Sequence, residues 1–300
     1  MPGLLPEAAA PLSGCQNEVS PLNEPVTIFL GRSVGARSVA ETLTRALEAA
    51  GIPVSQEATP TTITVGGDGA MLEAFRTYGR ETRYLGINAG RLGFLQEVEA
   101  GQIGDLVQAL QNGDLHEHRL PLLIATLPGG GTYEALNEVV IRAARSKTAY
   151  LEVVLEGQVL EHFAGDGLIV CTPTGSTGHN YAAGGTILPP VSSLYQVTAL
   201  APIRSMAYQG LHSFCAPANL PLSVRILAAT RASGLMVIDG LEQEIELGSQ
   251  VLFHMEPGAF RLLRFGPSNY WERLRNKFLG PLATPLQQPG RGAATRQEES

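Results

Sequence analysis

Lysine is scarce in this 300-residue chain. Of its 21 Lys and Arg residues only Lys147 and Lys277 are lysine, and neither lies in a Gly-Lys-Ser or Gly-Lys-Thr run. A Walker A loop is therefore excluded, and any phosphate cradle must use backbone amides and arginine. Cysteine is scarce too: Cys15, Cys171 and Cys215 give neither a disulfide framework nor a zinc pattern, which fits a reducing compartment. The net charge of −7 argues against a general nucleic-acid footprint. No apolar run reaches the roughly 18 residues of a membrane span. The first basic residue is Arg32, so the N-terminus lacks the basic region of a signal peptide. The expectation is a cytoplasmic protein with neither membrane nor nucleic-acid partners. Apolar residues at 44% supply ample core, and the length allows one large or two ordinary domains.

The chain is organised around Val65-Gly66-Gly67-Asp68-Gly69-Ala70-Met71-Leu72. A β-rich run, Thr61 to Val65, ends in Gly-Gly-Asp-Gly, and an apolar helical pattern follows at once. Glycines at a strand-to-helix turn let a ligand approach the backbone closely. The free N–H groups of the following helix can hold a phosphate. Asp68 is the odd member, since a carboxylate repels a phosphate unless it accepts a hydroxyl proton or holds a cation. Asp-Gly is also a common hairpin dipeptide, so this stretch alone leaves both readings open.

Around it, residues 1–24 read as a loose tail. Val26–Leu30, Ile52–Val54, Ile63–Val65 and Tyr84–Ile87 read as strands. They alternate with helical patterns that begin at Val39, at the glycine-rich turn and near residue 101. That alternation predicts an α/β, Rossmann-like domain over 25–118. Its ligand edge lies beyond the carboxyl ends of the strands, where the Gly66–Gly69 turn and the loop from Asn88 both fall. From 119 to 265 short strands follow one another with few helices, predicting a β-rich, sandwich-like domain. Ser268 is positioned to cap a last helix within 266–280, expected to dock on the first domain, and 281–300 reads as a disordered tail.

Two further constellations stand out. Gly165-Asp166-Gly167-Leu168-Ile169-Val170-Cys171 runs into Thr172-Pro173-Thr174-Gly175-Ser176-Thr177-Gly178, a loop rich in hydroxyl and N–H donors that suits ribose or phosphate oxygens. It also reads as an ordinary Ser/Thr/Gly turn. Asn137-Glu138 opens the apolar run Val139-Val140-Ile141, a polar pair able to bond ribose hydroxyls or a base edge. His116-Glu117-His118 lacks a third spaced metal ligand and reads as a solvated pair. Cys171 reads as core and Lys147 as a surface lysine.

Taken in order, these motifs resemble the NAD kinase family over roughly residues 25 to 280. The series is Gly66-Gly67-Asp68-Gly69; Gly86-Ile87-Asn88 with Gly90; Leu92-Gly93-Phe94-Leu95; Leu136-Asn137-Glu138-Val139; Asp166-Gly167 with Thr172 to Thr177; Gly184-Gly185; Asp239-Gly240; and Tyr270 to Arg275. The resemblance implies ATP-dependent phosphorylation of the adenosine-ribose 2′-hydroxyl of NAD⁺, with Mg²⁺ held mainly by ATP phosphates and waters. It also implies a homodimer or homotetramer whose subunits share the site. It puts Asp68 at the 2′-hydroxyl and Asn137 and Glu138 at the adenosine end. Asp166, Thr174, Ser176 and Thr177 would line the NAD site, with Phe94 beside the nucleotide and Gly66, Gly67, Gly69 and Asn88 at the phosphate turn.

Three positions depart from the family pattern. Within Gly178-His179-Asn180-Tyr181-Ala182, His179 stands where the family has a stacking aromatic, unless Tyr181 substitutes, and Ala182 replaces a serine. Ala164 stands where many relatives have arginine two residues before the Asp-Gly aspartate. Rival readings are a lipid or sugar kinase sharing the Gly-Gly-Asp turn and a non-catalytic NAD(P) sensor. A lipid or sugar kinase has no need of the Asn-Glu and Thr-Pro-Thr-Gly-Ser-Thr elements, and ATP consumption separates the sensor from the kinase.

Overall fold

The computed structural model describes residues 17–18, 20–22, 24–90, 93–205, 210–265 and 270–280. The tail 281–300, Ser268, Leu92 and most of the stretch before residue 24 lie outside the described residues. The first half comprises β1 (Asn17–Glu18), β2 (Val26–Leu30), α1 (Ala36–Ala49), β3 (Val54–Ser55), β4 (Thr61–Gly66), α2 (Asp68–Tyr78), β5 (Arg83–Asn88), β6 (Val98–Glu99) and α3 (Ile103–Asn112). Strands β3, β2, β4, β5 and β6 pair side by side in parallel. Every residue of β4 is buried, as a strand covered on both faces requires. Its side chains alternate between two cores. Ile63 and Val65 pack with Leu43 and Leu47 of α1 and Leu106 and Leu110 of α3. Tyr84 of β5 lies in the other core, with Met71 and Phe75 of α2. Within the expected tail, Leu22 is buried, and its N–H donates to the Leu110 carbonyl at 2.8 Å.

The second half runs through β7 (Leu115–Leu127), β8 (Gly131–Ala135), β9 (Glu138–Ala143), β10 (Ala149–Leu155), β11 (Gln158–Gly165), β12 (Gly167–Cys171), α4 (His179–Ala182), β13 (Leu194–Leu200), β14 (Ser213–Pro217), β15 (Leu222–Ile226), β16 (Gly234–Ile238), β17 (Leu241–Ile245) and β18 (Gln250–Phe265). Six of these make an antiparallel sheet in the order β14-β13-β12-β9-β16-β17. Its inward residues, among them Ile141, Val170 and Val197, share one core with Leu151, Val224 and Phe253 of the other sheet, giving a β-sandwich. α5 (Tyr270–Phe278) forms a separate unit, in which the rings of Tyr270 and Trp271 meet edge to face at 5.2 Å.

One strand carries the sandwich into the α/β half. β18 pairs with β15 at its start, with β7 along most of its length, and in parallel with β5 at Leu262–Tyr84. Its register shifts between Glu256 and Phe260, where Pro257 and Gly258 (φ +66°) bend the strand out of one layer into the next. β7 likewise runs unbroken through position 118, so one twelve-stranded sheet spans both halves.

The ends of β2 and β4 and the start of α2 converge on three small residues. A Cβ on Gly31 would lie 2.6 Å from the Ala70 Cβ and 3.0 Å from the Val65 carbonyl; one on Gly66 would lie 2.7 Å from the Ala70 Cβ. These two glycines let the helix start close against the strand ends. Gly31→Ala therefore overpacks this junction, and a loss of about 1–3 kcal/mol is expected in urea unfolding. An unchanged midpoint would contradict the close approach.

Candidate active site

Between β4 and α2 stands only Gly67, which caps the helix without a side-chain bond. A Cβ on Gly67 or Gly69 would meet nothing within 4 Å, so these two glycines face open space, unlike Gly31 and Gly66. Asp68 is the first residue of α2. Its carboxylate accepts the backbone N–H groups of Phe94 at 2.9 Å and Leu95 at 3.0 Å, one on each oxygen. Gly93 is needed beside it, because a Cβ there would run into the Asp68 carboxylate.

The 94–97 segment that grips Asp68 is itself fixed. The fully buried Gln96 donates from Nε2 to the Gly67 carbonyl at 2.8 Å, and Glu97 N–H donates to the Gly86 carbonyl at 3.1 Å. Arg264 of β18 donates to the Phe94 carbonyl at 3.2 Å and pairs with Glu97 at 2.6 Å. Phe94 is buried. Asn88 ends β5 opposite Gly66; it accepts the Gly90 N–H at 3.1 Å and donates to Glu99 at 3.4 Å, so its side chain shapes the adjacent loop.

Asn137 and Glu138 open β9 under a second carboxylate. Asp239 accepts the N–H groups of Leu136 at 2.7 Å, Asn137 at 2.9 Å and Glu138 at 3.0 Å. It reaches them from the two-residue turn joining β16 to β17. There Asp239 (φ +44°) and Gly240 (φ +85°) both take left-handed conformations, as a type I′ hairpin demands. In the sequence Asp239-Gly240 stood out only as a member of the motif series; its turn and its role as an anchor for Asn137-Glu138 come from the structure. Burial pushes the Glu138 carboxyl up to about 8, with the charge of Asp239 adding to the effect. One Glu138 oxygen, Oε2, is buried without a hydrogen-bond partner.

The Thr172–Gly178 loop seats on the same Asn137 backbone. Thr172 donates its hydroxyl to the Leu136 carbonyl at 2.6 Å and its N–H to the Asn137 carbonyl at 2.9 Å. Ser176 is fully buried, donating to the Pro173 carbonyl at 2.6 Å and accepting the Leu188 N–H at 2.9 Å. Its hydroxyl thus ties the loop together. Thr174 keeps a buried hydroxyl without a partner, Thr177 is half-buried, and Gly178 is exposed. Asn180, which the sequence did not single out, is fully buried and bonds Gln196 at 2.6 Å and Thr198 at 2.7 Å.

A cleft of about 400 Å³ opens on the sandwich and is lined by Glu138, Asp166 and His179 together with Arg142, Ser146 and Lys147. His179 lines it; Tyr181 and Ala182 are exposed on the same short helix. Ala164 is buried and stands opposite Tyr150 of β10. Cys171, directly opposite Glu138 on β12, is buried, and its thiol is pushed well up by desolvation, as expected of a core residue. Among the described residues no cluster of three His, Cys, Asp or Glu could hold a metal ion, and His116 and His118 lie half-buried on β7.

The predicted residues thus fall into two groups. Asp68, Gly66, Gly67, Gly69, Asn88 and Phe94 sit at the carboxyl edge of the parallel strands. Asn137, Glu138, Asp166 and the Thr172–Ala182 stretch sit on the sandwich. Leu136 joins them, buried in one core with Met71 and Phe75 of α2 and with Leu95. A smaller cleft of about 260 Å³ is lined by Leu72 and Arg76 of α2 and by Asp239.

The ATP-NAD kinase N-terminal domain model matches residues 16–115, and the ATP-NAD kinase C-terminal domain model matches residues 136–264. An NAD kinase of Finegoldia magna is 37% identical over 224 residues, covering 72% of this chain and 82% of the relative. An NAD kinase of Levilactobacillus brevis is 29% identical over 265 residues, covering 85% and 98%. A crystal structure of yeast NADH kinase complexed with NADH superposes with TM-score 0.75 at 19% identity, over 91% of each chain. An NAD kinase from Archaeoglobus fulgidus in complex with ATP gives TM-score 0.69 at 20% identity, over 86% of this chain and 99% of that one. At those identities the two structures establish a shared fold.

The Glu138 carboxyl generates a pH test. Unfolded, it releases its proton near 4.5; folded, near 8. Between those values the unfolded chain holds fewer protons, so this group's contribution to stability falls as pH rises, by at most about 1.4 kcal/mol per pH unit. Glu138→Gln removes that slope. The stability of the variant minus that of the wild type should climb from pH 5 to pH 8 in urea titrations, and a flat difference would contradict the burial of the carboxyl.

Proposed function

The chain belongs to the ATP-NAD kinase family, and from that premise we infer how its own residues carry out the reaction. The protein is an NAD⁺ kinase, a phosphotransferase that uses ATP to convert NAD to NADP. In our reading the acceptor is the 2′-hydroxyl of the adenosine ribose, and Asp68 is the residue that meets it. The observation that carries this is the fixed Asp68 carboxylate beside glycines that face open space.

A carboxylate has about four lone-pair positions. Two of those on Asp68 are taken by the Phe94 and Leu95 N–H groups. This clamp fixes the plane of the carboxylate and with it the direction from which a hydroxyl would approach. An alcohol is a poor acid, so we place proton transfer late, as the bond to phosphorus forms; the transition state is loose and catalysis is mostly positioning. The uncapped start of α2, with Gly67 and Gly69 open beside it, suits the ATP phosphates. Arg142 and Lys147, on the rim of the larger cleft, are the basic groups we assign to the remaining negative charge.

At the adenosine end we place Asn137, Glu138, Asp166 and His179, with Thr174, Thr177, Gly178 and Ala182 around them. Because burial holds Glu138 up to about 8, it carries a proton at neutral pH and can donate as well as accept. Ser176 supports this loop from beneath. The carboxylate at the phosphate turn is already engaged by two amides, which fits a Mg²⁺ that arrives on the nucleotide, held by phosphates and waters. Bound there, the cation supplies charge neutralisation.

Cytoplasmic residence and a homodimer or homotetramer with shared sites complete the proposal. Free Cys171 and Cys215 support the first. Exposed Tyr181, Val191, Ile203 and Leu211 on the β-rich half support the second.

In an assay of NADP⁺ formation from NAD⁺, ATP and Mg²⁺, Asp68→Asn should lower kcat by about 10²–10⁴-fold while NAD still binds. Near-normal turnover would sink the base role. Gly69→Ala separates ligand space from folding. Inside α2 the change should raise stability by about 0.5–1 kcal/mol. The added methyl points into the space reserved for phosphate, so KM for ATP should rise. Unchanged ATP kinetics would move the phosphates elsewhere.

A further inference from the structure

Arg264 and Glu97 form an ion pair that stability alone does not explain. Arg264 is 8% exposed and lies in Leu262-Leu263-Arg264-Phe265, otherwise an apolar run ending β18. Burying two charges costs several kcal/mol per ion, and an apolar pair of similar volume often serves folding as well or better. What the guanidinium does that an apolar residue cannot is bond two points of one segment. Nη1 donates to Glu97 at 2.6 Å and Nη2 to the Phe94 carbonyl at 3.2 Å. The Phe94 carbonyl shares its peptide group with the Leu95 N–H, and the N–H groups of Phe94 and Leu95 are the two that hold Asp68.

We propose that Arg264 is a positioning residue for Asp68, acting through the 94–97 segment. The inference rests on the reading of Asp68 given above. Gln96, bonded to the Gly67 carbonyl, and Glu97 N–H, bonded to the Gly86 carbonyl, share in holding the segment. Both act from positions just C-terminal to the two clamp amides. Arg264 grips the Phe94 carbonyl, the other end of the peptide group whose Leu95 N–H forms half of the clamp. Through it the last strand of the sheet, after crossing from the sandwich, controls the direction in which the phosphate-turn carboxylate faces. Misplacement of a reacting group by about 1 Å costs on the order of 10²-fold.

The test is a double-mutant cycle with amide hydrogen exchange, on the full chain. Arg264→Gln should lower kcat for NADP⁺ formation by about 10–100-fold, with KM for NAD and ATP within about twofold. Arg264→Lys, which keeps one donor and the charge, should recover part of the loss. In the Asp68→Asn background Arg264→Gln should cost almost nothing more, since both act on one carboxylate. Exchange at the Phe94 and Leu95 amides should quicken in Arg264→Gln while that of Ile63 and Leu85 in the sheet stays slow. Normal kcat in folded Arg264→Gln, multiplying losses in the cycle, or unchanged exchange at both amides would each overturn the proposal. If Asp68→Asn turns over normally, the role of Asp68 fails; exchange at the two amides then still decides whether Arg264 positions the segment. Should Arg264→Gln not fold, the uncharged pair Arg264→Met with Glu97→Met takes its place under the same expectations.

Discussion

A carboxylate that accepts a backbone N–H on each oxygen has a fixed plane, and this site depends on that constraint at Asp68. Helix α2 brings the residue to the end of β4, and the segment after β5 brings the two amides. Neither partner alone could aim the group. The requirement propagates outward. Gly93 leaves room for the carboxylate, Gly31 and Gly66 let the helix start close to the sheet, and Gln96 and Arg264 hold the amides in place. A phosphate-accepting turn needs open backbone, and Gly67 and Gly69 provide it. The five glycines near Asp68 therefore divide between packing and access.

The same device recurs on the sandwich. Asp239 collects three N–H groups at the start of β9 and thereby sets Asn137 and Glu138, just as the amides of β5's following segment set Asp68. The two anchored ends meet through Leu136, packed against α2 and Leu95. Family membership as an NAD kinase fits a molecule in which an α/β edge and a β-sandwich face are locked to one another by a shared core and by the long strands β7 and β18.

Much of this was legible in the sequence because the signals were local. A β-branched run ending in Gly-Gly-Asp-Gly announces a strand, a turn and a helix within a dozen residues. The series of short strands after residue 119 announces a β-rich half. The ordered motifs carried the family. What stayed hidden depends on distance along the chain. Arg264 and Glu97 are 167 residues apart, and Asp239 bonds residues about a hundred positions earlier. A polar residue inside an apolar run, such as Gln96 after Phe94-Leu95 or Arg264 after Leu262-Leu263, was the available sign. Ser176 looked like a ligand donor because a hydroxyl in a Ser/Thr/Gly loop reads the same whether it faces outward or, as here, inward on Pro173 and Leu188. The turn at Pro257-Gly258 gave no hint that one strand would serve two layers.

The most direct measurement is a crystal structure of the protein with NAD and a non-hydrolysable ATP analogue. The ribose 2′-oxygen should lie within about 3.2 Å of an Asp68 oxygen, the reach of a hydrogen bond, with the Phe94 and Leu95 N–H groups still on that carboxylate and the γ-phosphoryl group over Gly67 and Gly69. A 2′-hydroxyl bonded to another residue, with Asp68 turned away from the substrate, would contradict the role given to Asp68.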